Sequence, residues 1–268
     1  MKAGLSTAKP RFEPMHLVFS ALGGAVLLFI VAPLAGIFLQ CSSADIAETA
    51  QDAEVARSIY LTMGASMAAT LVAAVAAIPF AYVLARKDFP FKRLVTGIID
   101  LPIVIPHSAA GIALLGVIAR ETLAGRGARA LGFGLVGSPA GIMIAMAFVS
   151  IPFLINAARD GFAAVPERLE KAALNLGASP VRVFFTISLP LARRGIVSGL
   201  VLMWARGMSE FGAVVIVAYH PMITPVLIYE RFTAFGLRYA RPVAAIFVAI
   251  CLAIFVVLRL LASERKHA

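Results

Sequence analysis

The sequence predicts an all-α integral membrane protein with six transmembrane helices. Hydrophobic residues make up 61% of its 268 residues, charged residues 14%, and the mean hydropathy is +0.93. Soluble domains have about a quarter charged residues, so this composition excludes an ordinary soluble protein. Six stretches are long and apolar enough to cross a hydrocarbon core of about 30 Å. These predicted spans are residues 16–40, 58–84, 94–119, 139–158, 195–218 and 242–261, which together form one transmembrane domain, 16–261.

Lysine and arginine are distributed unevenly between the segments that connect the spans. All six lysines and ten of the 18 arginines lie in the N-terminal tail 1–15, in segment 85–93, in segment 159–194 or in the C-terminal region from Arg259 onward, whereas seven arginines lie in the segments on the other side. Because positive charge accumulates on the cytoplasmic side of membrane proteins, we expect both termini and segment 159–194 to be cytoplasmic. The formal net charge of +10 is therefore an orientation signal, and we expect lipid rather than nucleic acid as the surrounding partner.

The predicted outer segments differ in composition. Segment 41–57 is acidic, which favours a solvated surface helix. Segment 125–130 formally matches G-x-G-x-x-A, but no predicted strand precedes it, so we interpret it as a flexible loop. Segment 219–237 is apolar and aromatic but interrupted by Pro221 and Pro225, which predicts a short helix or re-entrant piece rather than a seventh span.

The clearest pattern lies in the charged segment between spans four and five. Two short helices are predicted, 167–176 and 181–188. Residues 177–180 between them read Gly-Ala-Ser-Pro, a turn in which Gly tolerates positive φ, Ser caps the next helix and Pro suits a first helical turn. Apolar residues recur at helical spacing in the first piece and indicate a docking face, because a solvated loop needs none. They are Leu169, Ala172, Ala173 and Leu176.

The spacing of this segment resembles a signature of the permease subunits of ABC importers. That signature reads E-A-A, three residues, G, nine residues, I-x-L-P. The chain departs from it at Lys171, which stands at the glutamate position, with Glu170 one residue earlier. The turn residue Ala178 follows the signature glycine. The residues that fall on the pattern are Ala172, Ala173, Gly177, Ile187, Leu189 and Pro190.

Polar residues inside the predicted spans are candidates for a transport pathway. Arg206 and Glu210 lie four residues apart, hence on one face of a continuous helix, at the middle of span five. Charges at that depth are costly and face a bundle interior or a cavity. One interpretation is a neutralising pair that fixes helix packing. The other is a polar lining, shared with Ser209, along which an oxyanion passes.

Span three carries a second group of polar candidates. Pro102 and Pro106 predict that the helix is kinked or unwound there, since proline lacks a backbone donor. His107 is either a pathway-lining residue or a neutral packed side chain. Asp100 lies near the cytoplasmic end of the span, where it can cap the helix, reach the interface or contribute to the pathway.

Segments 100–107, 162–190 and 205–232 together resemble the permease of molybdate/tungstate ABC importers. The sulfate permeases carry a related loop, so a sulfate/thiosulfate importer is the alternative. The resemblance implies a type I ABC importer permease fold, a homodimer with a twelve-span path, and location in the cytoplasmic membrane of a prokaryote. It implies two ATPase subunits, which bind ATP and Mg²⁺, and an extracytoplasmic oxyanion-binding protein. The 162–190 loop would be the coupling helix, so that ATPase closure drives alternating access.

Other function classes fit the sequence less well. An ion-coupled secondary transporter needs intramembrane carboxylates and often repeated halves, and we detect no repeat. A channel would not need a docking loop. The chain has no phosphate-binding loop of the Walker A type, so we expect no ATP hydrolysis by this subunit and no cofactor of its own. Four scattered histidines and two cysteines predict no metal site.

Overall fold

The computed structural model describes residues 14–263, with side chains described for 15–257. Every regular element among these residues is a helix, as the composition predicts. The predicted terminal tails lie almost entirely outside the described residues. In chain order the helices are α1 Pro14–Leu39, α2 Ser43–Gln51, α3 Ala53–Arg86, α4 Lys92–Val104, α5 His107–Ile118, α6 Leu123–Ala130, α7 Pro139–Ala163, α8 Glu167–Asn175, α9 Pro180–Val183, a π-helical turn Phe184–Ser188, α10 Leu189–Met208, α11 Gly212–Val217, α12 Thr224–Phe235 and α13 Leu237–Ser263.

Five of the described helices are long and apolar enough to cross a membrane singly. They are α1, α3, α7, α13 and the continuous helix Pro180–Met208, which contains α9, the π turn and α10. The pair α4 and α5 forms a sixth span if it is counted as one, but the two helices are bent by 113° at residues 105–106. The predicted interruption of span three is therefore present as a complete break.

The fifth predicted span, 195–218, is not one helix. The helix begins at Pro180, where the Ser179 side chain accepts a hydrogen bond from the Arg182 amide, and it ends at Met208. A break at 209–211 separates it from α11. The helix ends therefore differ from the bounds of the predicted span, because hydropathy reports apolar content and not the capping that starts a helix or the backbone break that ends it.

The flexible loop predicted at 125–130 is also wrong, since these residues belong to α6. Thr122 caps that helix by accepting a hydrogen bond from the Gly125 amide at 3.1 Å. A Cβ on Gly125 would lie 2.0 Å from the Ala119 carbonyl oxygen, so the glycine permits the close approach. Segment 219–237 does contain the predicted short helix, α12.

By internal contacts the described residues divide into two compact units, 52–234, and 14–51 with 235–263. In the larger unit α7 packs against both α3 and α10. Small residues allow this, as is usual for helices in lipid. One apolar cluster lies between these three helices and includes Leu84, Leu154 and Met203; a second lies between α5, α7 and α11 and includes Ile142 and Val214.

In the smaller unit α1 and α2 have no buried residues over their described side chains. For α2 this agrees with the predicted solvated helix. The 25 residues of α1 from Met15 are strongly apolar and uncovered, which suits a helix surrounded by lipid.

Candidate functional site

In the charged segment after α7 the first predicted helix and the turn are present, but the second predicted piece, 181–188, is not a separate short helix and forms the start of the continuous helix Pro180–Met208. Helix α8 ends at Asn175, and Gly177 follows with φ +87°, a left-handed conformation that side chains rarely adopt. The Ala178 amide donates to the Ala173 carbonyl at 3.0 Å and the Gly177 amide to that of Leu174 at 2.9 Å. These bonds satisfy the last carbonyls of α8 and reverse the chain.

The apolar face of α8 is exposed. Leu169 is 42% and Leu176 89% exposed, Ala172 is exposed and Ala173 is half-buried. Lys171 is exposed and forms an ion pair with Glu167 at 2.8 Å. Within the described residues, this apolar face is thus only partly covered, and Leu176 is almost fully exposed, as expected of a docking surface.

The buried residue of α8 is Glu170, which is 6% exposed. Arg86, the last residue of α3, donates from Nε to both carboxylate oxygens at 3.0 and 3.1 Å and from Nη2 to Oε1 at 2.8 Å. The same Nη2 donates to the Val165 carbonyl at 2.9 Å. Two hydroxyls complete the shell: Ser188 donates to Oε1 at 2.8 Å and Tyr82 to Oε2 at 3.2 Å.

The environment of Glu170 keeps its carboxylate charged. Burial acts to raise the pKa, but hydrogen bonds from Arg86 and Ser188 and the Arg86 charge outweigh it, so the pKa lies below its usual value. The rings of Phe162 and Phe184 lie 5.2 and 5.1 Å from the Tyr82 ring, edge to face, and pack around this side of the cluster.

The end of the predicted motif forms the π-helical turn that leads into α10. The Leu189 amide donates to the Phe184 carbonyl, five residues back. Pro190 follows in the first turn of α10, where its missing amide hydrogen is tolerated because the wider turn replaces the regular ladder. Ile187 and Leu189 are half-buried, and Ser188, between them, is fully buried against Glu170.

The polar residues of spans three and five meet where both helices are broken. A Cβ on Gly212 would lie 2.7 Å from the His107 Cβ, and one on Gly111 would lie 2.8 Å from the Ile216 Cβ. Helix α11 therefore packs on α5 at very short distance. The break at 105–106 faces the break at 209–211.

The predicted Arg206–Glu210 pair is present, but not on one helical face. Glu210 follows the end of α10, is fully buried, and accepts a hydrogen bond from the Ala213 amide of α11 at 2.8 Å. Its Oε2 lies 3.0 Å from Arg206 Nη2 and 3.1 Å from His107 Nδ1, in contacts that are close but not aligned as hydrogen bonds. The sequence predicted that both residues lie within one continuous helix. In the structure Arg206 lies in α10 and Glu210 lies beyond its end, because the helix ends between them at Met208.

His107 and Ser209 complete this cluster. Arg206 Nη2 lies 2.8 and 3.0 Å from the two ring nitrogens of His107, and an arginine can only donate, so the histidine is the acceptor. Arg206 Nη1 donates to Ser209 Oγ at 3.3 Å. The Arg206 and His107 side chains remain partly exposed. The cluster pairs one cation with one carboxylate and leaves a polar surface.

Asp100 does not belong to this cluster. It lies inside α4, not at a cap, and accepts a hydrogen bond from Asn156 Nδ2 of α7 at 2.7 Å. Asn156 and the Glu170 partners Arg86 and Tyr82 were missed by the sequence analysis. Arg86 is 84 residues from Glu170 in the chain, and no local pattern links them.

The sequence is similar to a known protein family and to individual transport proteins. The sequence matches the family described as "Binding-protein-dependent transport system inner membrane component" over residues 77–265. It is 46% identical over 253 residues to the molybdate/tungstate transport system permease protein of Thermococcus kodakarensis, covering 94% of this chain and 97% of that protein. It is 30% identical over 251 residues to the sulfate transport system permease protein of Synechocystis, covering 91% and 88%.

The fold also matches a solved transporter. A bacterial alginate ABC transporter, in complex with an alginate pentasaccharide-bound periplasmic protein, superposes on 94% of this chain and 96% of its own with a TM-score of 0.72 and 16% identity. At that identity the likeness concerns the fold alone. It confirms the predicted type I ABC importer permease fold.

Proposed function

Because the chain belongs to the family of binding-protein-dependent transport system inner membrane components, we propose that it is the permease subunit of an ATP-driven molybdate/tungstate importer. The observation that carries the proposal is 46% identity over 94% of the chain to a molybdate/tungstate permease. A permease subunit is not an enzyme. ATP and Mg²⁺ are bound by separate ATPase subunits.

The exposed face of α8 is the surface that docks the ATPase. The uncovered leucines Leu169 and Leu176, and the tight turn at Gly177, support this assignment. ATP binding favours one arrangement of the ATPase pair, and the docked helix passes that preference to the membrane helices, which alternate between inward-open and outward-open states.

The assembly is a homodimer of this chain with two ATPase subunits and an extracytoplasmic oxyanion-binding protein. It lies in the cytoplasmic membrane of a prokaryote as a multi-pass protein. Both termini are cytoplasmic, which the positions of the lysines support. That orientation places α8 on the side of the ATPase subunits.

The pathway passes the cluster of Arg206, Ser209, Glu210 and His107. Broken helices expose backbone groups that are tolerated in a membrane only against protein or water, and such breaks form the substrate sites of many transporters. The partial exposure of Arg206 and His107 supports contact with a passing oxyanion. Asp100, which accepts a hydrogen bond from Asn156, is not part of this cluster.

A sulfate/thiosulfate importer is the second candidate, favoured by the 30% identity to a sulfate permease. The two candidates differ in the anion that must be loaded on the binding protein to stimulate the assembled transporter. A channel or an ion-coupled carrier has no support from the comparisons.

The test measures ATP hydrolysis and anion uptake in proteoliposomes that contain this chain with its ATPase partner. The binding protein is added empty, or loaded with molybdate, tungstate or sulfate. We expect stimulation by the molybdate- and tungstate-loaded protein. Stimulation by sulfate alone would replace the first candidate with the second, and failure to bind any ATPase would overturn both.

A further inference from the structure

Helix α8 places a carboxylate where an apolar side chain would be expected. Its leucines are exposed, while Glu170 is buried and bonded to three side chains. Burying a charge is unfavourable unless partners compensate, and an apolar residue of similar size would pack there without that penalty. We therefore interpret the hydrogen-bonded carboxylate as fixing the orientation of α8 more tightly than apolar packing would.

The partners of Glu170 come from the ends of two membrane helices. Arg86 is the C-terminal residue of α3, and Ser188 lies in the π turn that enters α10. Through Val165, Arg86 also holds the link between α7 and α8. The carboxylate thus connects α8 to the end of α3 and to the π turn that enters α10, while its partner Arg86 also holds the link between α7 and α8.

The geometry of the pair suits a rigid connection. The Arg86 guanidinium contacts both carboxylate oxygens from Nε and one of them from Nη2, and both side chains are less than one-tenth exposed. A planar fork on a carboxylate restricts rotation as well as distance, which a lysine in the same place cannot do.

We propose that the Arg86–Glu170 pair is the rigid link that makes α8 move as one body with α3 and α10, so that both residues are positioning residues for coupled transport. The proposal rests on the proposed docking of the ATPase to the exposed face of α8. Neither residue lies on that face, so loss of the pair should leave docking and ATP hydrolysis in place while import falls.

The experiment uses the complete transporter in proteoliposomes, with the ATPase partner and the molybdate-loaded binding protein. Uptake of molybdate and hydrolysis of ATP are measured at matched amounts of assembled complex. For E170Q and for R86K, which keeps the charge but loses the fork, we expect molybdate imported per ATP to fall by at least about fivefold. The control is D88N, which makes the same chemical change at an exposed carboxylate paired with Lys92 at 3.0 Å, and it should keep the wild-type ratio.

A charge exchange tests whether the ion pair itself, and not either side chain alone, maintains the ratio of molybdate imported to ATP hydrolysed. R86E combined with E170R restores an ion pair in reversed order, and we expect it to recover part of the ratio relative to either single exchange. An unchanged ratio in both E170Q and R86K, with the wild type coupled, would overturn the link. If both fail to assemble with the ATPase, the pair is a folding requirement and the proposal is also wrong.

The outcome is distinguishable from failure of the proposed function. A wild-type complex that shows no stimulation by the loaded binding protein would overturn the importer assignment itself. If the wild type and both variants import the same amount of molybdate per ATP hydrolysed, only the proposed rigid link is overturned.

Discussion

Gly195 of α10 lies against Gly161 of α7 with their backbones in contact. A Cβ on Gly195 would be 2.6 Å from the Gly161 Cα and 2.9 Å from the Ala157 carbonyl oxygen. Such an approach is possible only without a side chain, and it sets the separation of α7 and α10, the two long helices on either side of α8 in the chain.

Replacing Gly195 with alanine should therefore destabilise the larger unit. The added methyl meets backbone, which cannot rotate away, and overpacking of this kind costs about 1–3 kcal/mol. Thermal unfolding in detergent measures the effect. The matched control is G116A in α5, where a Cβ meets nothing within 4 Å, and equal midpoints for the two variants would contradict the prediction.

The turn after α8 should tolerate asparagine but not valine. Gly177 has φ +87° with no neighbour near its Cβ position, so the penalty is conformational and not steric. G177V should distort the turn, at a cost of about 1–3 kcal/mol, and uncouple ATP hydrolysis from transport. G177N should retain most coupling because asparagine enters the left-handed region more readily. Stimulation by the loaded binding protein is the measurement, and an intact response in G177V would refute the role of the turn.

Arg206 and Glu210 should behave as a coupled pair. R206M leaves the fully buried Glu210 carboxylate without its cation, which costs about 3–5 kcal/mol. E210Q leaves only the partly exposed Arg206 unpaired, so we expect it to be less destabilising than R206M. The double variant should be milder than the sum of the two. Thermal unfolding of the wild type, the two single variants and the double variant completes a double-mutant cycle. Strictly additive effects on stability would show that the contact at 3.0 Å contributes no interaction free energy.

The Glu170 ion pair predicts a specific dependence of stability on pH. Its pKa is lower in the folded chain than the ordinary value of about 4.3, so its contribution is complete above that value and is lost as pH falls through the folded-state pKa. The wild type should exceed E170Q in stability near neutral pH, and the difference should shrink as pH falls below about 4.3. Unfolding midpoints between pH 3 and 7 measure it, and a constant difference across that range would be inconsistent with the prediction.

Much of the fold was predictable because it depends on local composition. The apolar spans, the break at the prolines of span three and the turn at 177–180 each follow from residues adjacent in the chain. The exposed apolar face of α8 follows from its spacing. These features involve the cost of burying backbone in lipid and the φ preferences of glycine and proline, which are properties of short segments.

The partners of those segments were not predictable. That Glu170 meets Arg86, that Asp100 meets Asn156, and that His107 joins Arg206 and Glu210 depend on how helices far apart in the chain cross. Likewise the end of α10 at Met208 depends on α11 packing against α5, and hydropathy does not report it.

The sequence by itself determined that this is a multi-span membrane protein with a helix and a tight turn between its fourth and fifth spans, because lipid selects apolar segments and a tight turn selects glycine. Only the tertiary structure decided which charges are paired and where the long helices begin and end. The physical reason is that a buried charge is stable only with a partner, and the identity of that partner is set by helix packing over distances of 50 to 100 residues.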